Sequence, residues 1–389
     1  MNLSNILFNI KNRGLAQQLV TSDKVVGMLL TGVSVVGKAQ VNTAYQVFSL
    51  AEVEALGIEK TGVNAFAYTF FETFFNEAGQ GAELWFMLVS DTTTYTVMLD
   101  KTNTYATKLL DASAGKIRVL GAAKLPAAEV VTVNGMDGDV HTAAVKAQEL
   151  ASAYAENYMP VRVILSGNNF TGTVADLKDY KTTDFNRVAI LLANNDGSKV
   201  ASVGLALGRL ARTPVQRNIG RVADGPIEQF SAYFTNGNKT ETLQAAWNAI
   251  HNKGYIFLRS FVSKSGYYFT DDLTLTADTD DFNSLARGLV MDKAIVIAYA
   301  TLVENLLDEV EVTAEGKIHP AIIKSWQSKV ENALSTMVDA GNLSNQACFI
   351  DENQNILTSQ SLQVEISLQP VGYAKQITVN IGFTTTINN

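Results

Sequence analysis

The chain closes on Leu362-Gln-Val-Glu-Ile-Ser-Leu-Gln-Pro370-Val-Gly372-Tyr-Ala-Lys-Gln-Ile377-Thr-Val-Asn-Ile381-Gly-Phe383-Thr-Thr-Thr-Ile387, and the reading of this stretch decides the fold. Leu362, Val364, Ile366 and Leu368 alternate with polar residues, and after Pro370 and Gly372 the alternation resumes at Ile377, Val379, Ile381 and Phe383. Period-two patterning predicts strands with one buried face. The first strand is expected to turn at Pro-Val-Gly-Tyr-Ala and be answered by the second. That second strand then runs off the end of the sequence with nothing after it to pair with. An edge to receive it can come from another copy of the same protein.

Working back from there, two helices are expected at Asp280 to Glu311, with a break at Gly288, and at Ala321 to Ala340. The second carries Ile322, Trp326, Val330, Leu334 and Met337 at helical intervals. Strands Tyr255 to Val262 and Tyr267 to Leu275 flank a hairpin turn at Lys264-Ser265-Gly266, and Asn238 with Glu241 opens a helix ended by Gly254. Gly220 to Gly237 is turn-rich and reads as a junction. The middle has an α/β rhythm: strands Lys116–Ala122, Val161–Leu165 and Arg187–Ala193 alternate with helices at Val140–Tyr158, near Thr173–Tyr180 and from Asp196 or Ser198 onward. Such alternation implies a partly parallel sheet covered on both faces. Nearer the start, Lys24–Gly32, Val41–Phe48 and Leu84–Val89 read as strands. Ser49 with Glu52 forms a capping box, and Phe66, Phe70, Phe71, Phe74 and Phe75 mark an aromatic-faced helix. Thr92 to Thr107 reads as exposed strand or loop. Residues 1–24 form a short amphipathic lead-in.

Composition narrows the function. At 389 residues, with 47% apolar and 17% charged residues, the chain is globular and slightly rich in apolar surface, which suits assembly. A net charge of −8 argues against a nucleic-acid partner. The one cysteine, Cys348, sits in an apolar run and reads as a buried structural thiol. The start lacks the order of a secretion signal, and Asp292 with Lys293 interrupts the best apolar run, so a soluble chain made in a reducing cytoplasm is expected, without membrane insertion.

No catalytic, cofactor or metal site is expected. Gly32-Val-Ser-Val-Val-Gly37-Lys38-Ala39 nearly matches a phosphate loop, and a degenerate nucleotide-binding enzyme is the alternative it raises. Ala39 stands where a hydroxyl must hold Mg²⁺, and the next residues, Gln40 to Phe48, read as strand instead of a helix facing the anion. His141, His251 and His319 lie far apart and lack metal-ligand spacing. The acidic cluster Asp271, Asp272, Asp278, Asp280 and Asp281 lacks the spacing of a calcium loop and reads as solvated or helix-capping. No Gly-x-Ser-x-Gly elbow precedes a helix.

The order of these segments resembles the contractile tail sheath proteins of phages and phage-tail-like injection systems. The resemblance is carried by Val47-Phe-Ser-Leu-Ala-Glu-Val-Glu-Ala-Leu-Gly57, by the aromatic helix leading to Gly79-Gln-Gly-Ala-Glu-Leu-Trp-Phe-Met-Leu-Val89, and by Gly208-Arg-Leu-Ala-Arg-Thr213. Lys253-Gly-Tyr-Ile-Phe-Leu-Arg-Ser-Phe261, followed by Gly266-Tyr-Tyr-Phe269 and the helix holding Arg287, is similar to the family's central run, and Val364 to Gly382 to its ending. The chain departs from the family at Arg221-Val-Ala-Asp-Gly-Pro226, where a Trp-x-Ala-Pro is absent.

The resemblance implies a mixed α+β and α/β multi-domain protein. Its parts would be an N-terminal arm (1–24), an outer α/β region (25–235, divided at 115/116), a core domain (236–372) and a C-terminal strand arm (373–389). It further implies stacked hexameric rings of self around an inner tail tube protein, bounded by baseplate and terminator proteins. Ile377, Val379, Ile381 and Phe383, with Leu3 and Ile6 at the other end, would pair with strands of neighbouring copies. Contraction would drive the tube through a target envelope, ejecting a genome from a virion or acting in a cytoplasmic or released injection particle. A non-contractile tube or shell is the other structural alternative.

Overall fold

A computed structural model describes residues 23–379 and 381–383. The N-terminal arm residues Leu3 and Ile6 lie outside the described residues. Seven strands build the main sheet: β1 (Val26–Thr31), β2 (Ala44–Val47), β3 (Leu84–Val89), β4 (Val119–Ala123), β5 (Arg162–Ser166), β6 (Val188–Leu191) and β7 (Tyr255–Ile256). Their order is β7-β6-β5-β4-β1-β3-β2, parallel throughout except for β2, which pairs antiparallel with β3 at one edge. Consecutive residues of β1, β4, β5 and β6 are all buried. Since neighbours point to opposite faces, both faces are covered, as the α/β rhythm predicts.

The helices that cover the sheet close on it through small residues and buried charge. The aromatic helix is α1 (Ala65–Ala78), and α2 (Val203–Arg212) packs along it. A Cβ on Gly204 would stand 2.2 Å from the Phe70 carbonyl oxygen, and one on Gly208 2.7 Å from that of Phe74, so only glycine permits this approach. Fully buried Glu77 of α1 then forms ion pairs with Arg209, whose Nε lies 2.8 Å from its carboxylate, and with Arg212 at 3.1 Å. The Gly-Arg-Leu-Ala-Arg-Thr segment is thus a helix–helix seam. Phe71 meets Phe86 of β3 edge-on at 4.7 Å.

Three sequence expectations are corrected. The Thr-rich stretch is neither strand nor loop but holds two short helices, Tyr95–Leu99 and Ala106–Ala112. The Thr94 hydroxyl and the distant Asp139 carboxylate, which accepts from the Tyr95 and Thr96 amides at 2.7 and 3.1 Å, cap the first against its β-branched composition. The segment near Thr173–Tyr180 forms single 3₁₀ turns at Val174–Asp176 and Tyr180–Thr182 instead of a helix. Around Lys264-Ser265-Gly266 the hairpin keeps only Leu258–Arg259 against Tyr268–Phe269; Tyr255–Ile256 joins the main sheet and Leu275–Thr276 pairs with Asp184–Phe185.

Helix α3 (Leu285–Val303) is unbroken at Gly288, another departure from the sequence reading. The glycine is there for a neighbour: a Cβ would fall 1.8 Å from the guanidinium carbon of Arg162. One turn on, fully buried Asp292 accepts from Arg162 Nε at 2.8 Å and from Arg187 at 3.1 Å. Ser284 caps the first turn. This triad fastens α3 to β5 and to the segment leading into β6. Replacing Asp292 by Asn leaves the buried Arg162 guanidinium and the half-buried Arg187 without this anion. It is expected to cost about 3–5 kcal/mol, read as a lower urea midpoint at unchanged m-value.

Candidate assembly site

Helix α4 (Pro320–Asp339) packs on α3 and supports a two-stranded ribbon, β8 (Leu343–Phe349) and β9 (Glu365–Pro370). The ribbon is antiparallel, running from Phe349↔Glu365 to Leu343↔Pro370 with an irregularity between Leu343 and Asn345. Leu362, Val364, Ile366 and Leu368 face inward while the residues between them are exposed, as the alternation predicts. The partner is not the one expected. The first run pairs with 343–349, and 377–383 forms no strand among the described residues. Two residues fix β8 to α4. Gln327 donates to the Cys348 carbonyl at 3.0 Å, and Glu331 accepts from the Cys348 amide at 3.3 Å. The thiol of Cys348 is buried, which pushes its pKa up.

Beyond Pro370 the chain becomes a stem that returns to the body of the protein. The Tyr373 hydroxyl donates to the Gln216 carbonyl, and burial pushes its pKa up to about 12. Lys375 Nζ donates to Asp271 Oδ2 at 2.9 Å, and His251 Nε2 reaches the same oxygen at 3.2 Å. Asn218 Nδ2 donates to both Asp271 Oδ1 (2.5 Å) and Asp272 Oδ1 (2.7 Å). Asp272 in turn accepts from Ser284 Oγ at 3.1 Å and from the Ala286 amide at 2.9 Å, so it braces the first turn of α3.

The neighbouring carboxyls are therefore driven apart. Burial alone would raise Asp271, but the hydrogen bond from His251 and the Lys375 ammonium overcome it and hold its pKa below the ordinary range. Burial and the charge of Asp271 push Asp272 up. The helix capping expected of this acidic cluster fits Asp272; the grip of Asp271 on the C-terminal stem carries no local signature in sequence.

After the stem the predicted pairing residues stand in solvent: Ile377 is 78% exposed, Val379 74%, Ile381 95% and Phe383 fully so. None of these is covered by another element of the described chain.

The sites that hint at chemistry are otherwise occupied. In the loop after β1 the amides of Lys38 and Ala39 donate to the Val35 and Leu56 carbonyls, and the Val35 amide to Ala39. Asn64 closes on Val33 from both sides, at 2.8 and 2.9 Å. Strand β2 comes next, not a helix, so no helix N-terminus faces the loop. His141 bridges Tyr180 and the Val133 carbonyl, and burial lowers its pKa; His319 caps α4. Among the described residues no three His, Cys, Asp or Glu side chains gather as metal ligands. No described helix is long and apolar enough to cross a membrane.

Removing both anchors of the stem, in Tyr373→Phe with Lys375→Ala, should leave global stability within about 1 kcal/mol, because both side chains are partly solvated. Amide hydrogen exchange across 371–379 should quicken at least about tenfold. Unchanged exchange there would mean that the stem is held by something other than Gln216 and Asp271.

Comparison with known proteins bears on this architecture. The DUF2586 N-terminal domain family matches residues 3–273 and the DUF2586 C-terminal domain family residues 281–388. No curated protein sequence matches the chain. A chain in the anti-feeding prophage baseplate superposes with a TM-score of 0.65 at 13% identity, covering 99% of this chain and 100% of that one. The anti-feeding prophage helical sheath in its contracted state gives 0.64 at 14% identity, again over 99% and 100%. The contracted sheath complex of the extracellular contractile injection system PVC gives 0.63 at 13% identity, over 100% and 99%. By sequence the chain belongs to the DUF2586 family, and its fold is that of the sheath proteins of contractile injection systems.

Proposed function

We propose that this protein is the subunit of a contractile sheath, polymerising as stacked hexameric rings around an inner tube and doing mechanical instead of chemical work. The observation that carries the reading is the exposed alternation Ile377, Val379, Ile381, Phe383 on a stem that is itself anchored. An apolar row of this kind, with no strand partner among the described residues, gains most by completing another copy's sheet. Each buried side chain contributes about 1.5–3 kcal/mol and each new backbone hydrogen bond about 0.5–1.5, so one arm holds a neighbour by several kcal/mol. The end-to-end likeness of the fold to sheath subunits supports the same reading.

In this reading residues 373–389 form the C-terminal arm, and residues 1–24, with Leu3 and Ile6, the N-terminal one. The bodies, an outer region over 25–235 and a core over 236–372, rotate while the arms keep their pairings. Contraction is a cooperative passage from an extended lattice to a wider, shorter one with more buried surface. It needs no nucleotide hydrolysis. An inner tube protein, a baseplate and a terminator are the partners, in a virion or a released injection particle.

Deleting residues 372–389 should leave the melting temperature within a few degrees of the full chain and abolish polymerisation. Negative-stain images of the deletion showing ordinary sheath-like tubes would refute the role of the arm.

A further inference from the structure

Helix α3 ends in an exposed turn of unusual chemistry, Val303-Glu-Asn-Leu-Leu-Asp-Glu-Val-Glu311. Leu306 and Leu307 are 73% and 97% exposed, and Leu307 has φ +63°, a left-handed conformation that costs a leucine about 1–2 kcal/mol. Glu304, Asp308, Glu309 and Glu311 are exposed and form no ion pair among the described residues. No Lys or Arg occurs between Lys293 and Lys317 to neutralise them. The backbone thus spends strain to hold leucines and carboxylates out together, which is the composition of a plug and not of a solvated loop.

The opposite chemistry lines a cleft of about 1120 Å³ beside the stem. Its floor is aromatic, with Trp247 and Phe261, and the Arg259 guanidinium lies 4.1 Å from the Phe261 ring and 5.8 Å from that of Trp247. Arg259 forms no ion pair among the described residues, and its buried Nε has no hydrogen-bond partner. Arg217 and Arg221 on the same wall share the one carboxylate of Asp224, at 3.3 and 2.5 Å. In a chain of net charge −8 this is a place where cations outnumber their anions.

The plug cannot enter its own cleft. Asp271 lines the cleft and Asp272 beside it braces the start of α3, whose 19 residues set the turn about 28 Å away at 1.5 Å per residue. We propose that the 303–311 turn of one copy seats in the Arg259 cleft of the next, its leucines on the aromatic floor and Asp308 or Glu309 against Arg259. The contact joins different surfaces of two identical chains, so it is head-to-tail and propagates into a ring or helix. It rests on the assembly reading above; Ile377 lies at the rim of the cleft, but the charge and aromatic contacts proposed here involve none of the strand-pairing residues.

The test is a charge swap in the full chain, scored by sedimentation and electron microscopy. Arg259→Glu alone, and Asp308→Lys with Glu309→Lys alone, are each expected to weaken assembly at least about tenfold, and the combined variant to restore it. The two turn positions are exposed, so that variant keeps the fold. Assembly unaffected by the turn variant, or a combined variant no better than either parent, overturns the proposal. If the unaltered chain does not polymerise, the assembly reading falls, and a fluorescent peptide of residues 301–313 decides the cleft separately. Saturable binding to the full chain, weakened about tenfold or more by Arg259→Glu, supports the contact; binding indifferent to that substitution overturns it.

Discussion

Asp292 is fully buried, and two guanidiniums converge on its carboxylate, one from β5 and one from just before β6. A buried anion so placed fixes the helix that carries it, because any rotation or slip of α3 leaves charge unpaired in a medium that cannot solvate it. Gly288 is the steric half of the same joint, giving Arg162 the space to lie flat against the helix. The joint links the segment matched by the N-terminal family domain to that matched by the C-terminal one.

Everything beyond residue 284 inherits its position from that joint. Helix α4 lies on α3, the ribbon of β8 and β9 on α4, and the stem leaves the ribbon at Pro370. The stem then returns to Asp271, the neighbour in sequence of the residue that braces α3. A loop of dependence is closed in this way, from the sheet out to the ribbon and back to the sheet's own flank. The exposed apolar residues after Lys375 therefore start from a defined point and direction on the body, which is what a strand donated to a neighbour requires if every subunit is to be placed alike.

Two kinds of contact then divide the work of assembly in the proposed lattice. Strand addition is strong but reads little beyond alternation, since backbone amides are common to every sheet edge. The leucine and carboxylate turn set against an arginine and aromatic cleft is weaker and screened by salt, but it is specific in charge and shape. One holds copies together while the bodies move; the other distinguishes positions of those bodies.

The sequence alone determined the alternating faces of 362–368, the parallel α/β rhythm and the aromatic helix, because each is a local period that backbone geometry converts directly into a face. It did not determine partners. The ribbon strand pairs with 343–349 and not with the run after Gly372, since α4 presents one of these edges and the stem is drawn away by Gln216 and Asp271. Gly288 reads as a helix break in sequence because its reason, Arg162, lies 126 residues earlier in the chain. Tyr95–Leu99 is capped by the local Thr94 and by the carboxylate of Asp139, and the second cap has no local trace. Only the tertiary structure decided these points, because buried charges and caps are satisfied by whichever group the fold brings near, and nearness in space is not written as nearness in sequence.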